Sequence, residues 1–165
     1  EVFGTNWAKH FSETQKMVLK KIPRILSPDA LHLLARMGHG DEVVLCDANF
    51  PAESNAKRLV RAEGVDVVTV LAAVLELLPL DTYVECPAAV MEQVEDPTRL
   101  APIWADFQEL LDRAEGRAVY MERIERFEFY KRAANAFGVI STSETALYGN
   151  IILKKGVIGP NTDRK

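Results

Sequence analysis

Apolar positions fall into two rhythms along this chain. Val43-Val44-Leu45-Cys46 is a short continuous apolar run. It lacks the polar alternation of a strand wetted on one face, so it predicts a strand over 42–46 covered on both sides, as in the middle of an α/β sheet. Ile151-Ile152-Leu153 predicts another strand, Val139-Ile140-Ser141-Thr142 is a further stretch ahead of it that opens on apolar residues, and Thr82-Tyr83-Val84 and Ala88-Ala89-Val90-Met91 are extended candidates on either side of Pro87. Helical spacing marks four other segments. The first runs from Pro28 to Met37, with Ser27 as cap, Pro28 in the first turn and Leu31, Leu34 and Ala35 facing the core; His32 falls beside that stripe, on the surface. The second spans Asp66 to Leu78 on Val67, Val70, Leu71, Val74, Leu77 and Leu78, and Pro79 stops it. The third opens at Pro102, carries Ile103, Phe107, Leu110, Leu111 and Ala114, and ends on Gly116. The fourth spans Glu125 to Ala136, with Phe127, Tyr130, Ala134 and Phe137 on one side. Pro51 to Gly64 and Glu92 to Arg99 read as loops.

The chain has 165 residues, 48% hydrophobic and 27% charged, enough for one domain with a sizeable core. A net charge of -4, with only Lys57, Arg58 and Arg61 as a small basic cluster in a loop, argues against a nucleic-acid partner and for small neutral ligands or proteins. Cys46 and Cys86 have neither CxxC nor Cys/His spacing, so no metal site or disulfide framework is expected, and a reducing, cytoplasmic setting suits them. No apolar run is long enough to cross a bilayer. Met17 reads like a natural start, so residues 1–16 are taken as an extension outside a domain spanning 17–158, and 159–165 as a polar tail.

Candidate chemistry gathers around the strand at 42–46. Gly38 can adopt the left-handed conformation that ends a helix, which puts His39 just past a helix C-terminus, where the partial negative charge favours the imidazolium. A capping or surface histidine is the simpler alternative. Asp47 and Asn49 follow the strand, where open α/β sheets collect ligands, although a loop-capping aspartate accounts for Asp47 equally well. Arg126 and Tyr130 stand four apart on a helix and read either as a functional pair or as packing plus a surface charge. If Tyr148-Gly149-Asn150 is extended, phenol and carboxamide point the same way with an open gap at the glycine. Met91 reads as core filler.

Five separated pieces then carry a resemblance: Ser27-Pro28 with Leu-Ala-Arg-Met-Gly-His-Gly-Asp-Glu, Asp47 to Pro51, Leu-Pro-Leu-Asp at 78–81, Ile-Glu-Arg-Phe-Glu-Phe-Tyr at 124–130, and Glu-Thr-Ala-Leu-Tyr-Gly-Asn at 144–150. In order and separation they resemble the fucose mutarotase and ribose pyranase family from Met17 to about Ile158, and Leu-Pro-Leu-Asp-Thr-Tyr-Val-Glu with Pro-Ala-Ala-Val-Met resembles its animal-type L-fucose branch. The resemblance implies a three-layer α/β/α sandwich with a mixed central sheet and a cofactor-free, metal-free sugar isomerase that interconverts the anomers of L-fucose. It also implies self-association into a ring-like homo-oligomer of up to ten copies. By matched position, His39 is the family's proton donor and Tyr130 a second catalytic group, while Asp47, Asp81, Met91, Arg126, Tyr148 and Asn150 contact the monosaccharide. Pyranose–furanose exchange of ribose, a non-catalytic sugar-binding ring protein and an aldose–ketose isomerase are the alternatives.

Overall fold

The computed structural model describes residues 19–160, so the reading of residues 1–16 as an extension lies outside the described residues. Its centre is a six-stranded sheet of β1 (Glu42–Cys46), β2 (Leu59–Ala62), β3 (Ala88–Met91), β4 (Met121–Ile124), β5 (Gly138–Thr142) and β6 (Ile151–Lys154), in the order β2-β5-β1-β6-β3-β4. β6 runs antiparallel to both neighbours, β1 and β3, and the other pairs are parallel. The sheet is therefore mixed, with β1, β2, β3, β4 and β5 sharing one direction.

Alternation along the strands divides the interior in two. Val43, Leu45, Val90, Ile140, Ile151 and Leu153 face one side, where they pack with α1 (Pro28–Arg36), α3 (Val67–Leu75) and α4 (Ile103–Glu115). Val44, Cys46, Ala89, Met91, Val139 and Ile152 face the other, against α5 (Arg126–Asn135) and the short α2 (Ala52–Asn55). This is the expected α/β/α sandwich, and β1 is buried on both faces as its apolar run predicts. Ser27 Oγ accepts the Ala30 amide at 3.2 Å to cap α1, and Gly116 closes α4 in the left-handed region at φ 63°.

Several details differ from expectation. In α1 the buried positions are Ala30, Leu33, Leu34 and the cap Met37; Leu31 is half-buried and Ala35 exposed. The stripe is the i, i+3, i+4, i+7 set counted from Ala30, one residue earlier than the expected one. In α5 the core side is Phe129 and Ala133, whereas Phe127 is 63% exposed. Thr82–Val84 forms no strand, because the Asp81 carboxylate accepts the Tyr83 amide at 3.0 Å and folds the chain into a bend. The presumed loop from Pro51 to Gly64 contains α2 and β2, and β4 was not anticipated. Gly38 is not left-handed; the positive φ falls on Gly40, at 82°.

Candidate active site

β1 has chemistry at both ends. Ahead of it, His39 Nε2 lies 3.2 Å from Asp81 Oδ1, with the imidazole side chain 46% exposed and the carboxylate 4%. Burial alone would raise the Asp81 carboxyl. The Tyr83 amide, the His39 bond and the nearby His39 and Lys154 charges outweigh it and hold the group below its ordinary value. Asp81 is thus ionised at neutral pH and can only accept, so Nε2 carries the proton in this bond. The Tyr83 ring stands edge-on to the imidazole, centroids 5.5 Å apart. The helix-end placement of His39 is as expected, and Asp81, 42 residues on, is its partner.

Beyond β1, the Asp47 amide donates to Asn150 Oδ1 at 3.0 Å, and Asn150 Nδ2 donates to Asp47 Oδ2 at 2.7 Å. The Asn49 amide reaches Asp47 Oδ1 at 2.9 Å. Both residues are buried, and burial pushes the Asp47 carboxyl above its ordinary value despite these bonds. Tyr148 and Asn150 are not the parallel extended arms expected. Tyr148 has φ 61°, its hydroxyl accepts the Val94 amide at 3.0 Å, and its carbonyl accepts the Trp104 indole N–H at 3.2 Å. Gly149 is needed for packing rather than for an open gap, since a Cβ there would lie 2.9 Å from Glu144 Cγ and 3.0 Å from the Ala146 carbonyl oxygen.

Helix α5 begins at this same end of the sheet. Tyr130 packs edge-on to Phe50, centroids 5.6 Å apart. The Arg126 guanidinium lies 4.6 Å over the Phe127 ring, and its buried Nε is without a hydrogen-bond partner. An orphaned donor of this kind is costly unless something else meets it. Met91 ends β3 buried under α5, packed with the core on that face. Phe50 and Trp104 also pack here, against Tyr130 and Tyr148, and no pattern in the sequence singles out their contacts. The only available signal was that a core tryptophan needs an acceptor for its N–H.

The eight residues thus form two groups. His39 and Asp81 stand where β1 begins; Asp47, Met91, Arg126, Tyr130, Tyr148 and Asn150 stand where the parallel strands end. The five residues of β1, at about 3.3 Å each, separate the groups by roughly 16 Å, more than one monosaccharide spans. Cavities of about 190 Å³ beneath α1 and about 470 Å³ beside Arg132 are lined by none of the eight. Among the described residues no cluster of three or more His, Cys, Asp or Glu could hold a metal ion, and no helix is long and apolar enough to cross a membrane.

Residues 20–158 match the RbsD / FucU transport protein family. The chain belongs to that family. Among RbsD / FucU relatives, the fucose mutarotase of Homo sapiens is 54% identical over 151 residues, covering 88% of this chain and 97% of its own. The L-fucose mutarotase of Glaesserella parasuis is 44% identical over 146 residues, covering 88% of this chain and all of its own. The crystal structure of the fucose mutarotase in complex with L-fucose from Streptococcus pneumoniae superposes with a TM-score of 0.81 at 41% identity, covering 86% of this chain and 100% of that one. All eight residues lie inside the span that matches RbsD / FucU.

Proposed function

We propose that this chain is an L-fucose mutarotase, an isomerase that interconverts the α and β anomers of L-fucopyranose. The supporting observation is the ionised, buried Asp81 behind a half-exposed His39, in a chain whose relatives are named for this activity. Ring opening requires a proton on the ring oxygen and loss of the proton of the anomeric hydroxyl. Rotation about the freed bond and reclosure then give the other anomer. No electrons leave and no group is transferred, so acid and base side chains suffice, at about 10²–10⁴-fold in rate.

His39 is the donor in this scheme. With Nε2–H committed to Asp81, the reacting proton passes through Nδ1, and the Asp81 charge stabilises the imidazolium between turnovers. Asp81 orients the ring, beside the sugar contact that the resemblance implies for it. Tyr130 serves the anomeric hydroxyl; Asp47, Tyr148 and Asn150 hold other hydroxyls, and the unpartnered Arg126 Nε is a donor waiting for one. The apolar faces of Met91 and the aromatics suit the C5-methyl group of a 6-deoxy sugar.

Because the two groups occupy opposite ends of β1, the site is completed by a second copy of the chain. Tyr83, Val157 and Ile158 are exposed at or beyond the His39 end, and Val94, Phe127 and Leu147 near the other. Apolar side chains at two different ends favour a head-to-tail contact, which closes into a ring when the rotation allows. A decamer is the assembly the resemblance implies. Free Cys46 and Cys86, with burial pushing the Cys46 thiol up to about 12, are in keeping with the cytoplasm.

Saturation-transfer NMR tests the reading. Fucose anomers exchange faster with the protein than without it, and galactose, the 6-hydroxy analogue, exchanges more slowly. His39→Gln folds normally and loses the catalysed exchange; retained exchange would remove His39 from the mechanism, and exchange of ribose forms in preference to fucose would replace the substrate.

A further inference from the structure

His39 and Asp81 lie on separate loops, and one short stretch, residues 154–156, reaches both. The Lys155 amide donates to the Asp41 carbonyl at 2.9 Å, and the Gly40 amide donates to the Lys155 carbonyl at 2.8 Å. The Lys155 ammonium donates to the carbonyl of Met37, the cap of α1. These bonds grip the His39 loop on either side of the imidazole. On the opposite edge, the Asp81 amide donates to the Lys154 carbonyl at 3.1 Å, the Gly156 amide donates to the Pro79 carbonyl at 2.8 Å, and Leu80 bridges Lys155. The chain just past β6 is therefore a strut between the proton donor and its carboxylate.

We infer that Lys155 is a positioning residue for His39, and that Lys155 and Gly156 together set the distance and angle at which Asp81 meets the imidazole. The ammonium does two jobs at the end of α1. It satisfies a helix-end carbonyl that has no partner within the helix, and it ties that helix end to β6 so that the Gly38–Gly40 turn has one conformation. Glycine at 156 is the second requirement. A Cβ there would meet the Leu80 carbonyl oxygen and lie 2.7 Å from the Leu80 carbonyl carbon and 2.9 Å from Asp81 Cα, all backbone atoms that cannot swing aside. Any side chain at 156 displaces the Leu80–Asp81 backbone and with it the geometry of the contact to His39.

The consequence is read most directly in the imidazole. When the ring is neutral, a firm bond to ionised Asp81 keeps the proton on Nε2; when the loops drift apart, the two tautomers mix. In ¹⁵N spectra of the full chain, neutral His39 of the native protein shows the Nε2–H tautomer. Lys155→Met, which keeps the stem and the backbone bonds but not the ammonium, gives mixed shifts, and Lys155→Arg restores the native pattern. Gly156→Ala mixes the tautomers with Lys155 intact. Fucose exchange in both disturbed variants falls roughly 10- to 100-fold in kcat, as expected for a misplaced donor, while KM changes little because the hydroxyl-holding groups sit at the far end of β1. The kinetic arm rests on the mutarotase reading and fails with it if the native protein does not exchange fucose. The tautomer arm stands alone: a native His39 pattern in folded Lys155→Met or folded Gly156→Ala overturns the strut, and a mixed pattern in Lys155→Arg overturns the role of the ammonium.

Discussion

Asp81 shows how a residue's role follows from its surroundings. Its carboxylate is buried yet ionised, supported by a backbone amide, an imidazole and a nearby lysine charge. Its pKa in the folded state lies below the unfolded value, so between the two the unfolded chain binds more protons. The contribution to stability is then present above about pH 4 and is lost as pH falls through the folded value. Asp81→Asn abolishes that part of the acid sensitivity, which thermal unfolding between about pH 2 and pH 6 measures against the native chain. It also removes the charge behind the imidazolium, and exchange falls about 10²-fold. His39 was legible in the sequence because glycines flank it at a helix end. Its partner was not, since nothing local relates positions 42 residues apart. Tyr148 was misread for a different reason: only three-dimensional contacts, the Trp104 indole on its carbonyl and the Val94 amide on its hydroxyl, explain a tyrosine at positive φ.

Among the elements, those buried on both sides were readable and those at the margins were not. β1, β3, β5 and β6 occupy the middle of the sheet and contain apolar runs, whereas β2 and β4, both unanticipated, are its edges. Edge strands have only one neighbour and carry charge, as Arg61, Glu122 and Arg123 do here, so no continuous apolar run announces them. Helix α5 was placed correctly in the chain but rotated, because Phe127 is a large apolar residue left facing out. Beside the buried packing of Phe129 and Ala133, a polar cluster ties α5 to the sheet. Glu42, at the start of β1, accepts two bonds from the Arg132 guanidinium, at 2.8 and 3.1 Å, and lies 3.2 Å from the Lys154 ammonium of β6. Burial raises the Glu42 carboxyl, but Arg132 and Lys154 more than reverse this and leave it lowered. Glu42→Gln leaves two cations facing a neutral amide, at a cost of about 2 kcal/mol near neutral pH. Because the native carboxylate is protonated at low pH, the gap between native and variant narrows below about pH 4. Urea titrations at pH 7 and pH 3 measure both, with an unchanged m-value showing that the unfolded states are alike.

For the whole molecule, the division of the site was already implicit in the sequence: a histidine before a five-residue strand and an aspartate after it stand at opposite ends. The apolar pattern and the family resemblance gave the layers correctly, but neither states which end of a neighbouring copy a given end will meet. That question has a quantitative test, because a shared site can be rebuilt from two defective chains. His39→Gln removes the donor and leaves the far end intact; Tyr130→Phe removes the phenol and leaves His39–Asp81 intact. Each alone is inactive. When the two are unfolded together in equal amounts and refolded, random assortment places an intact His39 against an intact Tyr130 at about one interface in four, so about a quarter of native exchange returns. Mixing the folded variants without unfolding returns less if subunits exchange slowly. A refolded mixture that assembles as the native protein does, yet stays as inactive as its components, would mean that both groups act within one chain, and the head-to-tail site would have to be given up.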